Sequence, residues 1–527
     1  MSTLPETLGS AALANSDEPP ATRADAQIDE NVRRDSAALA KGGRTNFFGF
    51  LLRLGARMPF FFVAGRFYGA ERVGRWAYAL VIVELVAQLA TLGQKRGIAQ
   101  RLAQEDRYDA NIVADAMLLS LMIGAVAAVG LWLFPGPMFP SGDFTLVDRL
   151  LPFTILPATV TDIALASLAY RYDVAATVRS RSVVEPWSLS ITAGLCWFLA
   201  PGEGLSVAYI VSIFASAVVA LWPWWKSYGL PRGWRPHPAY IGRLALNNMP
   251  LAVADAVEWG TRKVDIAILG QFASPSSVGV YYIAQQVATL PQKLKTSFEP
   301  ILGPVITRNL KQGNLPAIAR QVCQVGFWIT AAQAGIALAL GIPGGGVLAL
   351  VGPHFVGGFL ALAFLLAAEV TAAPAVVSEA ALIYIAPMRN LYFSIATIGL
   401  QAALTLAGME IDRAFGLDEM AQAASAAGAL AVTLTVASLA KSLLLSRLID
   451  QRISNLRWPL FAAGAVAALV GWLAITWLPE WAQVALGIPA ILGAYCWVIW
   501  VFGFGEDDRV LFRREKEAPA AGAPRPA

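Results

Sequence analysis

Asp255, Glu258, Arg262 and Asp265 follow one another at spacings of three, four and three, with Lys263 beside them. Such spacing puts the four on one face of any helix that carries them, and Lys263 on a neighbouring face. Two chemistries fit. Glu258 can neutralise Arg262 four residues on, or the stripe can wall a polar cavity. A charge facing lipid costs several kcal/mol, so in either case the stripe must meet protein or water. Arg53 and Arg57 are also four apart, with Pro59 just beyond. Two like charges on one face do not neutralise each other. They call for acids from elsewhere, with Glu84 and Asp255 as candidates, or for an anionic ligand. The planar guanidinium fork suits phosphate oxygens especially well.

Lys293 and Lys295 follow Pro291, and then come Glu299, Pro300 and Pro304. Lys295 and Glu299 can form a private pair, and the prolines can kink a long helix without further meaning. Glu84, Asp162, Glu185, Glu369 and Glu379 are acids in apolar surroundings, open both to proton or sodium binding and to plain ion pairing. The two histidines, His237 and His354, and the three cysteines, Cys196, Cys323 and Cys496, have no metal-ligand spacing. No Walker loop, HExxH or nucleophile elbow occurs, so no catalytic residue, metal or cofactor is expected. The Trp residues at helix ends, Trp132, Trp222, Trp224, Trp225 and Trp481, read as interface anchors.

The elements that position these charges are membrane helices. Of 527 residues 57% are hydrophobic and 14% charged, and mean hydropathy is +0.56, far from a soluble composition. About fourteen segments reach the roughly 20 residues that span a bilayer. Residues 1–45 read as a disordered cytoplasmic tail without a signal peptide, and 506–527 as a second tail. Between them the expected order is a first lobe over 46–225, a linker over 226–243, a second lobe over 244–446 and an extra helix pair over 447–505. Basic residues gather at Lys95–Arg107, Arg171–Arg181 and Lys226–Arg243, which places both termini on the cytoplasmic side. Arg66, Arg72 and Arg75, in the first outward loop, are the exception. At about 1.5 Å per residue, Arg262 lies about 12 Å from its helix end, near mid-bilayer.

A duplication supports the two lobes. Gly55, Arg57, Gly65, Phe67, Val73, Gly74 and Ala79 recur, ungapped, as Gly260, Arg262, Gly270, Phe272, Val278, Gly279 and Ala284. Both copies would enter the membrane from the same side, so the two lobes are related by an axis along the membrane normal. Arg57 and Arg262 then occupy matched positions.

The stretches Gly65–Ala79 (GRFYGAERVGRWAYA) and Val264–Ala284 (VDIAILGQFASPSSVGVYYIA) resemble the polysaccharide transporters of the MOP (multidrug/oligosaccharidyl-lipid/polysaccharide) flippase superfamily, the Wzx-like exporters. The likeness spans roughly 46–446 and implies an all-α, MATE-like polytopic fold that is not an enzyme. It further implies a flippase in the bacterial cytoplasmic membrane, carrying an undecaprenyl-pyrophosphate-linked oligosaccharide to the outer leaflet for O-antigen, capsule or exopolysaccharide assembly. Membrane lipids, a polysaccharide polymerase and a chain-length regulator would be its partners, and nucleic acid would not. By resemblance, substrate contact falls on Arg53, Arg57, Arg262, Lys263, Lys293 and Lys295. Asp255, Glu258, Asp265, Glu84 and Asp162 would supply charge balance or ion coupling. Two rival readings remain: a MATE-like cation or multidrug antiporter, and a membrane glycan polymerase or ligase.

Overall fold

The computed structural model describes residues 55–505 and Asp508, apart from Asp106 and Tyr172, and gives the backbone alone for Val174 and residues 293–304. The expected tails, apart from Asp508, and Arg53 lie outside the described residues, and so do the side chains of Lys293, Lys295 and Glu299. Among the described residues the chain is all-helical. Helix α1 (residues 55–63) passes through a π-helical turn, Ala64–Tyr68, into α2 (Gly69–Ala90). It is followed by α3 (Gln94–Gln104), α4 (Asp109–Leu133) and α5 (Ile155–Tyr170). The short α6 (Val174–Thr177) leads through a second π-helical stretch, Val178–Val184, into α7 (Glu185–Leu199) and α8 (Gly204–Tyr228). The second half holds α9 (Pro238–Phe272), α10 (Pro275–Lys311), α11 (Leu315–Gly341) and the short α12 (Gly344–Val351). Then come α13 (Phe359–Ile385), α14 (Pro387–Ala414) and α15 (Glu419–Ile449). The chain closes with α16 (Trp458–Trp477), the single turn α17 (Glu480–Ala482) and α18 (Ile488–Val498).

Local chemistry sets these limits. Proline opens α9, α10, α11, α14 and α16, where its missing N–H costs nothing. Asp418 accepts the Ala421 N–H at 2.9 Å at the start of α15, and Asn314 accepts that of Ala317 at 3.1 Å at the start of α11. Gly229, at φ +73, ends α8, and Pro238 starts α9, so only 229–237 between them is non-helical. That stretch is tied to the first half: Trp234 Nε1 donates to Asp115 at 2.8 Å, and Asn111 Nδ2 to the Arg232 carbonyl at 2.8 Å.

Among the described residues, ten helices are long and apolar enough to cross a membrane. Residues Gly55–Gln104 count as one of them. Helices α9 and α10, at 35 and 37 residues, have the length but are not among the ten. Their charged residues, described above, lower their hydropathy. Many large apolar side chains face outward, with Phe198 and Trp477 both 82% exposed. In water such a surface would aggregate; in lipid it is solvated.

In the first half α7 packs on α8, and α5 on both α4 and α8; in the second, α13 lies against α15, α10 and α11. The last pair, α16 and α18, packs onto α11. Helix α2 joins the halves by crossing α10 and α9. At the crossing a Cβ on Gly74 would stand 2.6 Å from the Gly279 nitrogen, and one on Gly279 would stand 2.9 Å from the Gly74 nitrogen. Each would also overlap a carbonyl oxygen, that of Pro275 or Ala70 respectively. Only glycine permits this approach. One matched glycine pair of the duplication, Gly74 and Gly279, therefore meets at this crossing.

Candidate functional site

Beyond this crossing the halves separate around a cavity of about 1040 Å³, at the upper end for small-molecule sites. Arg57 from α1 and Arg262 from α9 both line it. Helices α2, α10, α13, α14 and α15 supply most of the remaining wall. Among the described residues, six cationic and five acidic side chains face the space.

Phe60, Phe61, Trp76, Tyr209 and Tyr282 form an aromatic part of the wall. Trp76 meets the rings of Phe60, Tyr282 and Tyr209 at 5.3, 6.0 and 6.2 Å. These rings were not among the site residues expected from the sequence. An aromatic within an apolar helix reads as core until its neighbours are known.

The two arginines are paired but accessible. Arg57 lies 3.7 Å from Glu185 and is 47% exposed; Arg262 lies 3.1 Å from Glu258 and is 35% exposed. Glu258 is thus the intrahelical partner that its spacing offers. The partner of Arg57 is neither Glu84 nor Asp255, although Glu84 lines the same cavity. Asp255 is buried and bound by Arg96 of α3 at 2.9 Å, and Arg96 also bonds Glu258 at 2.5 Å. Arg96 therefore bridges the halves, although from sequence it reads only as a topology charge. Lys263 Nζ stands 3.5 Å from Gln285 Oε1 at the cavity wall.

Asp265 departs from the single stripe expected. It is fully buried, accepts a hydrogen bond from the Tyr281 hydroxyl and another from Gln285 at 3.4 Å, and does not line the cavity. Asp265 lies about 20° around the helix from Glu258 but about 10 Å further along it, where α9 is packed on α10 through Tyr281 and the cavity has ended.

Two further clusters complete the wall. In the second half, Lys441 of α15 is buried, 3.0 Å from Glu379 and 3.1 Å from Ser394 Oγ. Sequence reasoning missed Lys441, although a single lysine within an apolar helix was a sufficient signal. In the first half, Lys95 pairs with Asp162 at 2.9 Å, and Arg181 joins Asp162 to Glu185. Among the described residues no group of three or more metal-ligating side chains converges.

A family model described as "Polysaccharide biosynthesis protein" matches residues 40–310. No curated protein matches the chain. Among solved structures, an inward-facing multidrug-resistance MATE transporter of the MOP superfamily superposes with TM-score 0.60 at 13% identity, covering 76% of this chain and 95% of its own. An outward-facing MATE transporter of the same superfamily gives 0.53 at 15%, covering 80% and 97%. A MOP transporter from Pyrococcus furiosus, described as having a binding pocket of reversed polarity, gives 0.53 at 14%, covering 80% and 97%. At these identities the likeness shows a shared fold.

Proposed function

The chain belongs to the polysaccharide biosynthesis protein family, and from that footing we propose that it is a flippase for a polyprenyl-pyrophosphate-linked oligosaccharide. It is a multi-pass membrane protein of MATE-like fold. The observation that carries the proposal is that Arg57 and Arg262, matched across the duplication, line one cavity. Two guanidinium groups on opposite halves suit a pyrophosphate, which offers oxygens in both directions. The aromatic and amide side chains around them suit sugar faces and hydroxyls. A polar headgroup would occupy the cavity while the polyprenyl tail stays in the lipid.

Charge asymmetry supports an inner-membrane orientation with Lys95, Arg96 and Arg107 at the cytoplasmic end. The Gly74–Gly279 crossing then closes the outer end, and the cavity lies on the inner side of it. Alternating access would part this crossing and close the inner end, delivering the headgroup to the outer leaflet. In a deletion strain, Arg57→Gln or Arg262→Gln at normal protein level is expected to abolish surface polysaccharide and leave lipid-linked units inside. Normal polysaccharide in both variants would remove the basis of the proposal.

The five carboxylates of the cavity favour a second reading, an antiporter of organic cations. It is tested by drug susceptibility of the deletion strain, which is expected to equal the parent if the flippase reading holds.

A further inference from the structure

We propose that Arg181 is a positioning residue that keeps Arg57 available to an anionic ligand; this rests on the flippase reading and deepens it. Five side chains of the first half form a chain of alternating charge: Lys95, Asp162, Arg181, Glu185 and Arg57. Lys95 Nζ lies 2.9 Å from Asp162 Oδ2. Arg181 takes the other oxygen of Asp162 at 2.5 Å and Glu185 Oε2 at 2.7 Å. The last link, Glu185 Oε1 to Arg57, is the loosest at 3.7 Å. Arg57, Lys95 and Glu185 line the cavity, whereas Arg181 and Asp162 stand behind its wall.

Three cations share two acids, so the chain carries one surplus positive charge. The loose link locates that surplus at Arg57, the member 47% exposed. Arg181 produces this arrangement by competing for Glu185. Its own position is fixed by the backbone. The π-helical stretch Val178–Val184 presents Arg181 beside Glu185, and Ser180 Oγ donates to the Ser216 carbonyl of α8 at 2.9 Å. Widened turns of this kind recur at functional sites.

Removing the Arg181 charge leaves two acids for two cations. Glu185 then closes on Arg57, and the wall loses its affinity for anions although no ligand contact has been deleted. Removing the Glu185 charge as well releases Arg57 again. A purely structural role predicts the reverse order, with the double variant no better than the single one.

The test is binding of farnesyl pyrophosphate to purified full-length protein in nanodiscs, by calorimetry, with inorganic pyrophosphate run beside it to separate a lipid requirement from the anion alone. Arg181→Gln is expected to weaken binding about tenfold, as loss of one close charge pairing does. Arg181→Gln/Glu185→Gln is expected to return within about threefold of wild type, and Arg181→Lys to retain most binding. The same order with either ligand supports the proposal. Wild-type binding of farnesyl pyrophosphate with unchanged affinity in Arg181→Gln, or with no recovery in the double variant, overturns it and leaves the flippase reading standing. Absence of binding by wild type overturns both.

Discussion

Arg57 and Arg262 are each within reach of a glutamate, yet neither is withdrawn from the cavity. An exposed pair of this kind is worth little by itself, so its partner can be exchanged for a ligand at small cost. Lys441 is different. It is buried, and its neutralisation would leave Glu379 without its cation. Lys441→Met is expected to destabilise the protein by roughly 1–3 kcal/mol, less than for a dry pair because Glu379 is 35% exposed. Glu379→Gln/Lys441→Met should recover most of that loss, measured as the melting transition in detergent. A double variant less stable than either single one would show that the pair is not the stabilising unit.

At the scale of elements, α2 and α10 decide how the halves meet. Their contact depends on two hydrogen atoms where any other residue has a side chain. Gly74→Val or Gly279→Val is expected to force the helices apart at this end and to stop transport. Spin labels at Glu71 and Leu417, in a background without Cys196, Cys323 and Cys496, should report a separation longer than in the parent. Unchanged distances would show that the crossing absorbs the added volume. The neighbouring contacts of this end, Arg66 Nε to the Leu350 carbonyl at 3.3 Å and the Ser274 hydroxyl to Glu419, are polar and easily exchanged with water. Such contacts suit the repeated opening that the proposed alternating access requires.

For the whole molecule the question is what drives the cycle. An anion moving outward across an inside-negative membrane gains about 2.3 kcal/mol per charge per 100 mV. In proteoliposomes, an imposed inside-negative potential is expected to raise the rate of pyrophosphate-lipid delivery to the outer leaflet several-fold. Collapse of the potential should return it to the basal rate. A rate indifferent to potential would mean that headgroup and cavity cross with their charges cancelled. The near balance of six cations and five acids among the described residues of the wall makes this measurement informative.

The sequence by itself determined the membrane class, the helical character and the duplication, and it offered Glu258 as one possible partner for Arg262. All of these depend on periodicity, composition or neighbours within one or two helical turns. The cavity residues Arg57, Arg262 and Lys263 were also legible, because a charge in an apolar run stands out. Only the tertiary structure decided who neutralises whom. Glu185 for Arg57, Arg96 for Asp255 and Glu379 for Lys441 are partners brought together from different helices. It also withdrew Asp265 from the cavity, because α10 packs over that turn of α9 and supplies Tyr281 as its partner, which spacing along one helix cannot reveal. It brought Gly74 and Gly279 into contact, because the packing of the two halves, not the repeat alone, sets how closely matched residues approach.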